Sequence, residues 1–262
     1  MNFETKKILI TGGSKGIGKA IIAALYKKGA KDIAVVGRSL EKMKALQEEF
    51  PNANFEFIQG DVSKPEDIKN VISSVQNKWG FVDILINNAG VVSAGKLDEI
   101  EDEDIIAQQN INVTGLILLT KHALPLLKMS EEATIINVSS GLGLIAMPFY
   151  APYAASKAAV KHFSEAMRRE LEPFKIHVMT VYPTATDTPM MKTASSGEMD
   201  SPELVATKTI EGLINKEIDV ILGGPQRIED NKANFKNPLE FDKKVSGMYA
   251  AMLDRASGHR SM

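Results

Sequence analysis

The sequence predicts an α/β protein built on a doubly wound parallel sheet of about seven strands, with helices on both faces. Three observations carry that expectation. Short apolar runs alternate with helix-period segments six times along the chain. The first run ends in a glycine turn that opens a helix. Later runs end in Asn, Ser, Thr and Gly, at the strand ends where open α/β sheets bind ligands.

Residues 6–11 form the first expected strand, running into Gly12-Gly13-Ser14-Lys15-Gly16-Ile17-Gly18. Ile17, Ala20, Ile21, Ala24 and Leu25 then recur at helical spacing, and Gly29 supplies a stop. Glycines let a backbone approach a pyrophosphate, and the free N–H groups of a helix start point at it. The spacing here is T-G-x-x-x-G-x-G rather than G-x-G-x-x-G. A glycine turn without a ligand is the plain alternative; the strand and helix on either side favour a nucleotide. The second strand, 32–37, leads to Arg38-Ser39, about 20 positions past Gly18, where an acidic residue suits a ribose 2′-hydroxyl and an arginine a 2′-phosphate. Arg38, with Lys15 in the glycine loop, favours NADP(H) over NAD(H), unless both are merely solvated charges.

Helices follow at 39–50 and 64–79, the second opening with Ser63 and Glu66 in capping-box spacing. Between them a strand at 54–59 ends in Gly60-Asp61-Val62. Residues 82–86 are nearly continuous apolar, as in a central strand covered on both faces, and end in Asn87-Asn88-Ala89-Gly90. A long helix is expected over 102–127. It carries Asn112 among apolar neighbours, either bonded to an adjoining element or serving a site. Strand 133–138 delivers Ser139-Ser140, and an apolar loop, 141–150, leads to Pro152 and the next helix. Strand 176–182 ends at Pro183-Thr184-Ala185-Thr186-Asp187-Thr188, and 218–222 is the last expected strand.

The helix after Pro152 opens with Tyr153-Ala154-Ala155-Ser156-Lys157. Residues four apart share a helix face, so hydroxyl and ammonium stand together. A free tyrosine titrates near pH ~10, and a close cation pulls that value down. The pair is thus a candidate general acid–base for a carbonyl receiving hydride. None of Tyr26, Tyr150, Tyr182 and Tyr249 has a lysine four positions on.

These motifs resemble the short-chain dehydrogenase/reductase family. Thr11-Gly12…Gly16-x-Gly18, Asp61-Val62, Asn87-Asn88-Ala89-Gly90, Asn112, and Ser140 with Tyr153-x-x-x-Lys157 stand in the family's order over roughly residues 6–190. The resemblance implies a Rossmann-like fold and an oxidoreductase that reduces a ketone or aldehyde, or oxidises the matching alcohol. It implies Tyr153 as acid or base, Lys157 as its tuner and ribose ligand, Ser140 (with Ser139 the alternative) as carbonyl partner, and Asn112 as holder of a relay water. Asp61 and Val62 are implied at the adenine, and Asn88, Ala89 and Gly90 near the sugar. Gly12, Ser14, Gly16, Ile17, Gly18 and Ser39 fall to the phosphate and ribose side, and Pro183, Thr186 and Thr188 to the nicotinamide. Two departures stand out: Thr184 and Thr186 replace the family's glycine and valine, and the Asp-Gly-Gly ending of the acyl-carrier-protein reductase branch is missing. The alternatives kept open are an inactive nucleotide-sensing or scaffold protein of the same fold, and epimerase or dehydratase chemistry on a nucleotide sugar.

Composition narrows the rest. Apolar content of 44% and charged content of 24% are globular values, and the 262 residues suit one domain. A net charge of −2 with no basic run argues against nucleic acid and anionic membranes as partners. No cysteine is present, and the four histidines lack ligand spacing, so no metal is expected. Without a bilayer-length apolar run or a signal-peptide core at 1–7, a cytoplasmic protein is expected. A homodimer or homotetramer is implied by the resemblance. Residues 189–216 include a candidate substrate lid, centred on the small polar stretch 193–201, or else a surface loop. Met147, Phe149, Tyr150, Met190 and Met191 suggest an apolar pocket beside it. In the extension 223–262, Phe241, Val245, Met248, Tyr249 and Met252 trace a helical stripe that packs on the core or on a second subunit.

Overall fold

The computed structural model describes residues 1–194 and 197–262. In chain order the first elements are β1 (Lys7–Thr11), α1 (Gly16–Lys27), β2 (Asp32–Gly37), α2 (Leu40–Glu49), β3 (Asn54–Gln59), α3 (Pro65–Trp79) and β4 (Ile84–Asn87). There follow β5 (Val92–Ser93), α4 (Asp102–Gln109), α5 (Leu116–Leu127), β6 (Thr134–Val138), α6 (Ala151–Glu170), β7 (His177–Tyr182), α7 (Pro202–Asn215) and β8 (Asp219–Ile221). The chain closes with α8 (Gly224–Lys236), α9 (Pro238–Ser246), α10 (Tyr249–Ala256) and β9 (Arg260–Ser261).

Seven strands pair in parallel in the order β3-β2-β1-β4-β6-β7-β8. The order reverses between β1 and β4, which opens a crevice at their C-terminal ends. Alternation along each strand divides the core. Ile8, Ile10, Ile33, Val35, Ile84, Ile86 and Ile136 face α1 and α7, against Ile21, Leu25, Val205 and Ile210. Leu9, Ala34, Val36, Leu85 and Ile135 face the other way, onto Val71 of α3, Leu119 of α5 and Met167 of α6. Covering both faces is why these strands read as continuous apolar runs. Burying the largest of these side chains stabilises by about 1.5–3 kcal/mol each.

Most expected elements are present with ends shifted by a residue or two. Three expectations change. The helix expected over 102–127 is broken: between α4 and α5, Asn110–Gly115 forms a π-helical turn. A side chain on Gly115 would meet the Val62 carbonyl oxygen at 2.4 Å, so this wide turn is pressed onto the loop after β3. The capping box at Ser63 does not form. Its amide and hydroxyl both donate to the Asp61 carboxylate, at 2.9 and 2.7 Å, and Lys64 caps α3 without a side-chain bond. In the extension, α8 and β9 lie outside the expected helical stripe. The stripe there is broken at Gly247: Phe241 and Val245 bury against Ile145, Met252 packs with Val92, Tyr150 and Ala256, and Met248 and Tyr249 remain exposed.

The chain then returns to the sheet edge of the cleft. β9 pairs antiparallel with β5, Ser261 opposite Val92 and Arg260 opposite Ser93. Arg260 donates twice to the buried Asp104 carboxylate, at 2.6 and 2.9 Å. Such a two-point bond fixes direction as well as distance. Among the described residues no helix is long and apolar enough to cross a membrane.

Candidate active site

The crevice is a cleft of about 600 Å³ running from the glycine loop to the C-terminal helices. At its near end β1 stops at Thr11, and Gly12 turns the chain at φ +67°. A side chain on Gly18 would lie 2.4 Å from the Gly12 carbonyl oxygen and 2.5 Å from the Asn88 amide nitrogen, so only glycine fits there. Lys15, at the start of α1, makes no side-chain cap, which leaves the first amides of the helix to the cleft.

Two loops are bolted together here. Asn88 Nδ2 donates to the carbonyls of Thr11 and Gly12 at 3.0 and 3.1 Å, and Thr11 Oγ1 accepts from the amides of Asn88 and Ala89, both at 3.1 Å. The Asn88 amide nitrogen is thus spent on the glycine loop, and Asn88, Ala89 and Gly90 line the cleft wall together. Thr11 is a positioning residue that motif reading noticed only as the letter before a glycine.

Beside this loop lie exposed cations. Burial, then the charges of Lys42, Arg38 and Lys192, hold Lys15 below the ordinary lysine value. Ser39 caps α2 by accepting from Lys42 N at 3.4 Å. For Asp61, burial pushes upward, but the Ser63 hydrogen bonds with the Arg38 and Lys64 charges hold the carboxyl below its usual range. It stays ionised at neutral pH.

Farther along, β6 and α6 bring Ser140, Tyr153 and Lys157 together. Lys157 Nζ donates to the Val138 carbonyl at 3.0 Å and stands 5.7 Å from the centre of the Tyr153 ring. A side chain on Gly90 would sit 3.4 Å from that nitrogen. Lys157 has three donors, and the Val138 bond uses one. Ser139 is buried and donates to the Lys157 carbonyl at 2.8 Å, joining β6 to α6. Ser140, by contrast, lines the cleft, its Oγ accepting from Leu142 N at 3.1 Å. Asn112 accepts from Val91 N at 2.9 Å and donates to Val91 O and Ser156 Oγ, both at 3.0 Å. Both amide protons are used, so a relay water there would need a remaining lone pair of Oδ1 or the backbone carbonyl.

The expected lowering of the Tyr153 pKa is reversed among the protein's own groups. Burial pushes it up to about 12, with only a partial opposing effect from the Ser140 hydroxyl. Burial also lowers Lys157, to about 8. Spacing identified the neighbours, but removal of water outweighs the Ser140 hydrogen bond that favours the phenolate.

The loop after β7 accommodates its two threonines without positive φ. Thr184 Oγ1 donates to the Asp200 carboxylate, Thr186 Oγ1 to the Thr184 carbonyl at 3.0 Å, and the backbones of Ala185 and Asp187 bond to Asp200. Pro183, Thr186 and Thr188 line the cleft. The loop is therefore closed on itself by side chains where the family uses glycine. Ser195 and Ser196, in the middle of the candidate lid, lie outside the described residues.

At the far end the walls are Met147, Met190, Met191, Met248 and Met252, with Tyr150 and His259 between them. Tyr150 Oη and His259 Nδ1 are 2.9 Å apart, and His259 Nε2 meets the Met190 carbonyl at 3.1 Å. Burial first, then the Arg255 charge, keeps His259 below its ordinary value despite the Met190 bond. Sequence reading missed this histidine's place in the wall, together with Arg227 and Arg255, because no motif marks the extension. No group of three or more His, Asp or Glu side chains among the described residues is placed to hold a metal.

Comparison with known proteins places this geometry. Residues 6–199 match the family described as short chain dehydrogenase. An uncharacterized oxidoreductase of Thermotoga maritima is 34% identical over 211 residues, spanning 80% of this chain and 83% of that protein. A 3-ketodihydrosphingosine reductase of Dictyostelium discoideum is 28% identical over 254 residues, 85% of this chain and 76% of that one. Among solved structures, 3-ketoacyl-(acyl-carrier-protein) reductase from Brucella melitensis, complexed with NADH, superimposes with a TM-score of 0.78 at 26% identity, covering 86% of this chain and 99% of its own. The chain belongs to the short-chain dehydrogenase family of oxidoreductases.

Proposed function

We propose that the protein is an NADP(H)-dependent oxidoreductase that interconverts a ketone or aldehyde and its alcohol. The observation that supports this most is the meeting of the Tyr153, Ser140 and Lys157 side chains in the cleft that begins at the glycine loop. The site suits a dinucleotide: Gly12, Gly16 and Gly18 leave a cradle that side chains would fill, and α1 opens its first amides onto it. In this reading Gly12, Ser14, Gly16, Ile17 and Gly18 hold the pyrophosphate, and Asp61 and Val62 flank the adenine. Lys15, Arg38 and Ser39 take the 2′-phosphate, supported by the cluster of cations around Lys15. Asn88, Ala89, Gly90, Pro183, Thr186 and Thr188 shape the nicotinamide half.

The nicotinamide, when bound, supplies or accepts the hydride. Tyr153, protonated at neutral pH with a value near 12, donates its proton to the carbonyl oxygen as negative charge develops there. Ser140 orients that oxygen. Lys157, with donors to spare and a value near 8, is charged at pH 7 and stabilises the resulting phenolate. In the oxidative direction Tyr153 must first lose its proton, so oxidation gains with rising pH while reduction declines. The proposal includes a cytoplasmic homodimer or homotetramer, tested by fractionation and analytical ultracentrifugation.

Thermal unfolding with NADPH, NADP⁺, NADH and NAD⁺ tests the nucleotide. Stabilisation by about 2.7 kcal/mol is expected at 100 times Kd. NADP(H) should be the more effective pair; stabilisation by none of the four would return the protein to the non-catalytic reading.

A further inference from the structure

The charge around the cleft is lopsided. Asp61, at the adenine corner, is the only acidic side chain among its described lining residues. At the opposite end two arginines enter from the extension, Arg227 of α8 and Arg255 of α10. A methyl group built on Gly141 would sit 3.0 Å from Arg227 Cζ and 3.1 Å from both Nη atoms. Three nearly equal distances mean that the guanidinium lies flat over Gly141, one residue from Ser140, with its N–H edge directed sideways. Asp230 feels the Arg227 charge but is itself paired with Lys244 at 2.8 Å. The Arg255 charge acts on Tyr150 and His259, and a methyl group built on Gly197 would sit 3.6 Å from its Nη1. Neither arginine forms an ion pair with a described residue. Around them the wall is methionine.

Resting on the reductase reading above, we propose that the substrate is a keto compound with an anionic group, carboxylate or phosphate, within a few bonds of the reacting carbon. Arg227 binds that group, Arg255 adds positive charge to the same wall, and an apolar chain lies along Met147, Met190, Met248 and Met252. A guanidinium fork matches either anion in two-point geometry. Its position beside Ser140 sets the short separation between anion and carbonyl. Methionine adapts its shape, so the chain length is loosely specified. The same pair of charges repels an amino ketone.

The test measures binding to the protein saturated with NADP⁺ by calorimetry, and NADPH oxidation by initial rates. The probes are 3-oxodecanoate, 2-oxodecyl phosphate, methyl 3-oxodecanoate and 1-aminodecan-2-one. At least one anionic probe should bind about tenfold to hundredfold more tightly than the ester, the range of a charged hydrogen bond, and the amine should bind worst. Which anion wins separates carboxylate from phosphate. Arg227→Gln should erase the preference by weakening the anion at least tenfold more than the ester; Arg227→Lys should restore part of it. An ester that binds as well as both anions overturns the proposal and leaves the reductase reading intact. Equal losses for ester and anion in Arg227→Gln overturn it too, as does a tenfold loss of NADPH affinity, which would give the arginine to the nucleotide. If an anion binds selectively but no probe is reduced, the clamp stands and the reductase reading fails. If no nucleotide binds, the calorimetry is run on the protein alone, and absence of anion preference there also overturns the clamp.

Discussion

The two ends of the cleft are built by opposite means. At the glycine loop, backbone meets backbone: Asn88 and Thr11 satisfy each other's loops, and Gly18 leaves no room for a methyl group. At the far end, long side chains from α8 and α10 close the wall, and Phe149 is held at φ +69°, a region costly for a bulky residue. Its ring meets Tyr249 edge-on at 4.9 Å, and Tyr249 is itself half exposed. The first end is fixed because its backbone contacts leave almost no room for a side chain. The second is assembled from adaptable parts, which is where one fold takes different substrates.

Breaking the chemistry without touching either end should give the largest effect. Tyr153→Phe is expected to slow hydride transfer by about 10³-fold, within the usual range for a lost general acid, with NADPH affinity changed little. Stopped-flow NADPH oxidation and a fluorescence titration measure the two; undiminished turnover would remove Tyr153 from the mechanism. At the nucleotide end, Arg38→Asp should weaken NADPH by about tenfold to hundredfold and improve NADH, since a charged hydrogen bond to phosphate is replaced by repulsion. Unchanged selectivity in that variant would assign Arg38 to solvent.

The junction between the ends is sharpened by pH. Lys157 titrates near 8 in the folded protein and near 10.4 when unfolded. Between those values the unfolded chain binds more protons, so stability attributable to this lysine rises with pH. From pH 8 to pH 10 the wild type should gain about 1–2 kcal/mol relative to Lys157→Met, read by urea unfolding. A parallel course for the two proteins would mean that Lys157 is better solvated than its surroundings imply. The smallest effect belongs to the loop between the ends. Thr184→Val removes the Asp200 hydrogen bond and should cost about 0.5–1.5 kcal/mol in stability, with nucleotide Kd nearly unchanged.

The same division governs what could be read from the chain. Ile8, Ile33, Ile84 and Ile135 lie in short apolar runs whose helical partners follow in sequence, so the sheet was visible in local pattern. Glycine spacing and the four-residue step from Tyr153 to Lys157 are local too. What escaped is non-local or depends on solvent. Arg260 finds Asp104 across 156 positions, and His259 finds Tyr150 across 109. The π turn at Asn110–Gly115 keeps helical composition and differs only in its hydrogen-bond step. Tyr153 was located correctly beside Lys157, yet the direction of its pKa depends on how much water the fold removes. The extension carries its own disguise: Phe235 is 93% exposed in α8, so hydrophobicity there does not mark the buried face.

The pairing of β9 with β5 also sets an order in time. Chains emerge from the ribosome at about 5–20 residues per second, and domains fold as their segments become available. The sheet can close once β8 has appeared, but Met248, Met252, His259 and the Arg260 clasp arrive about thirty to forty residues later. For those few seconds the glycine-loop end of the cleft stands complete while its far end is still open on one side.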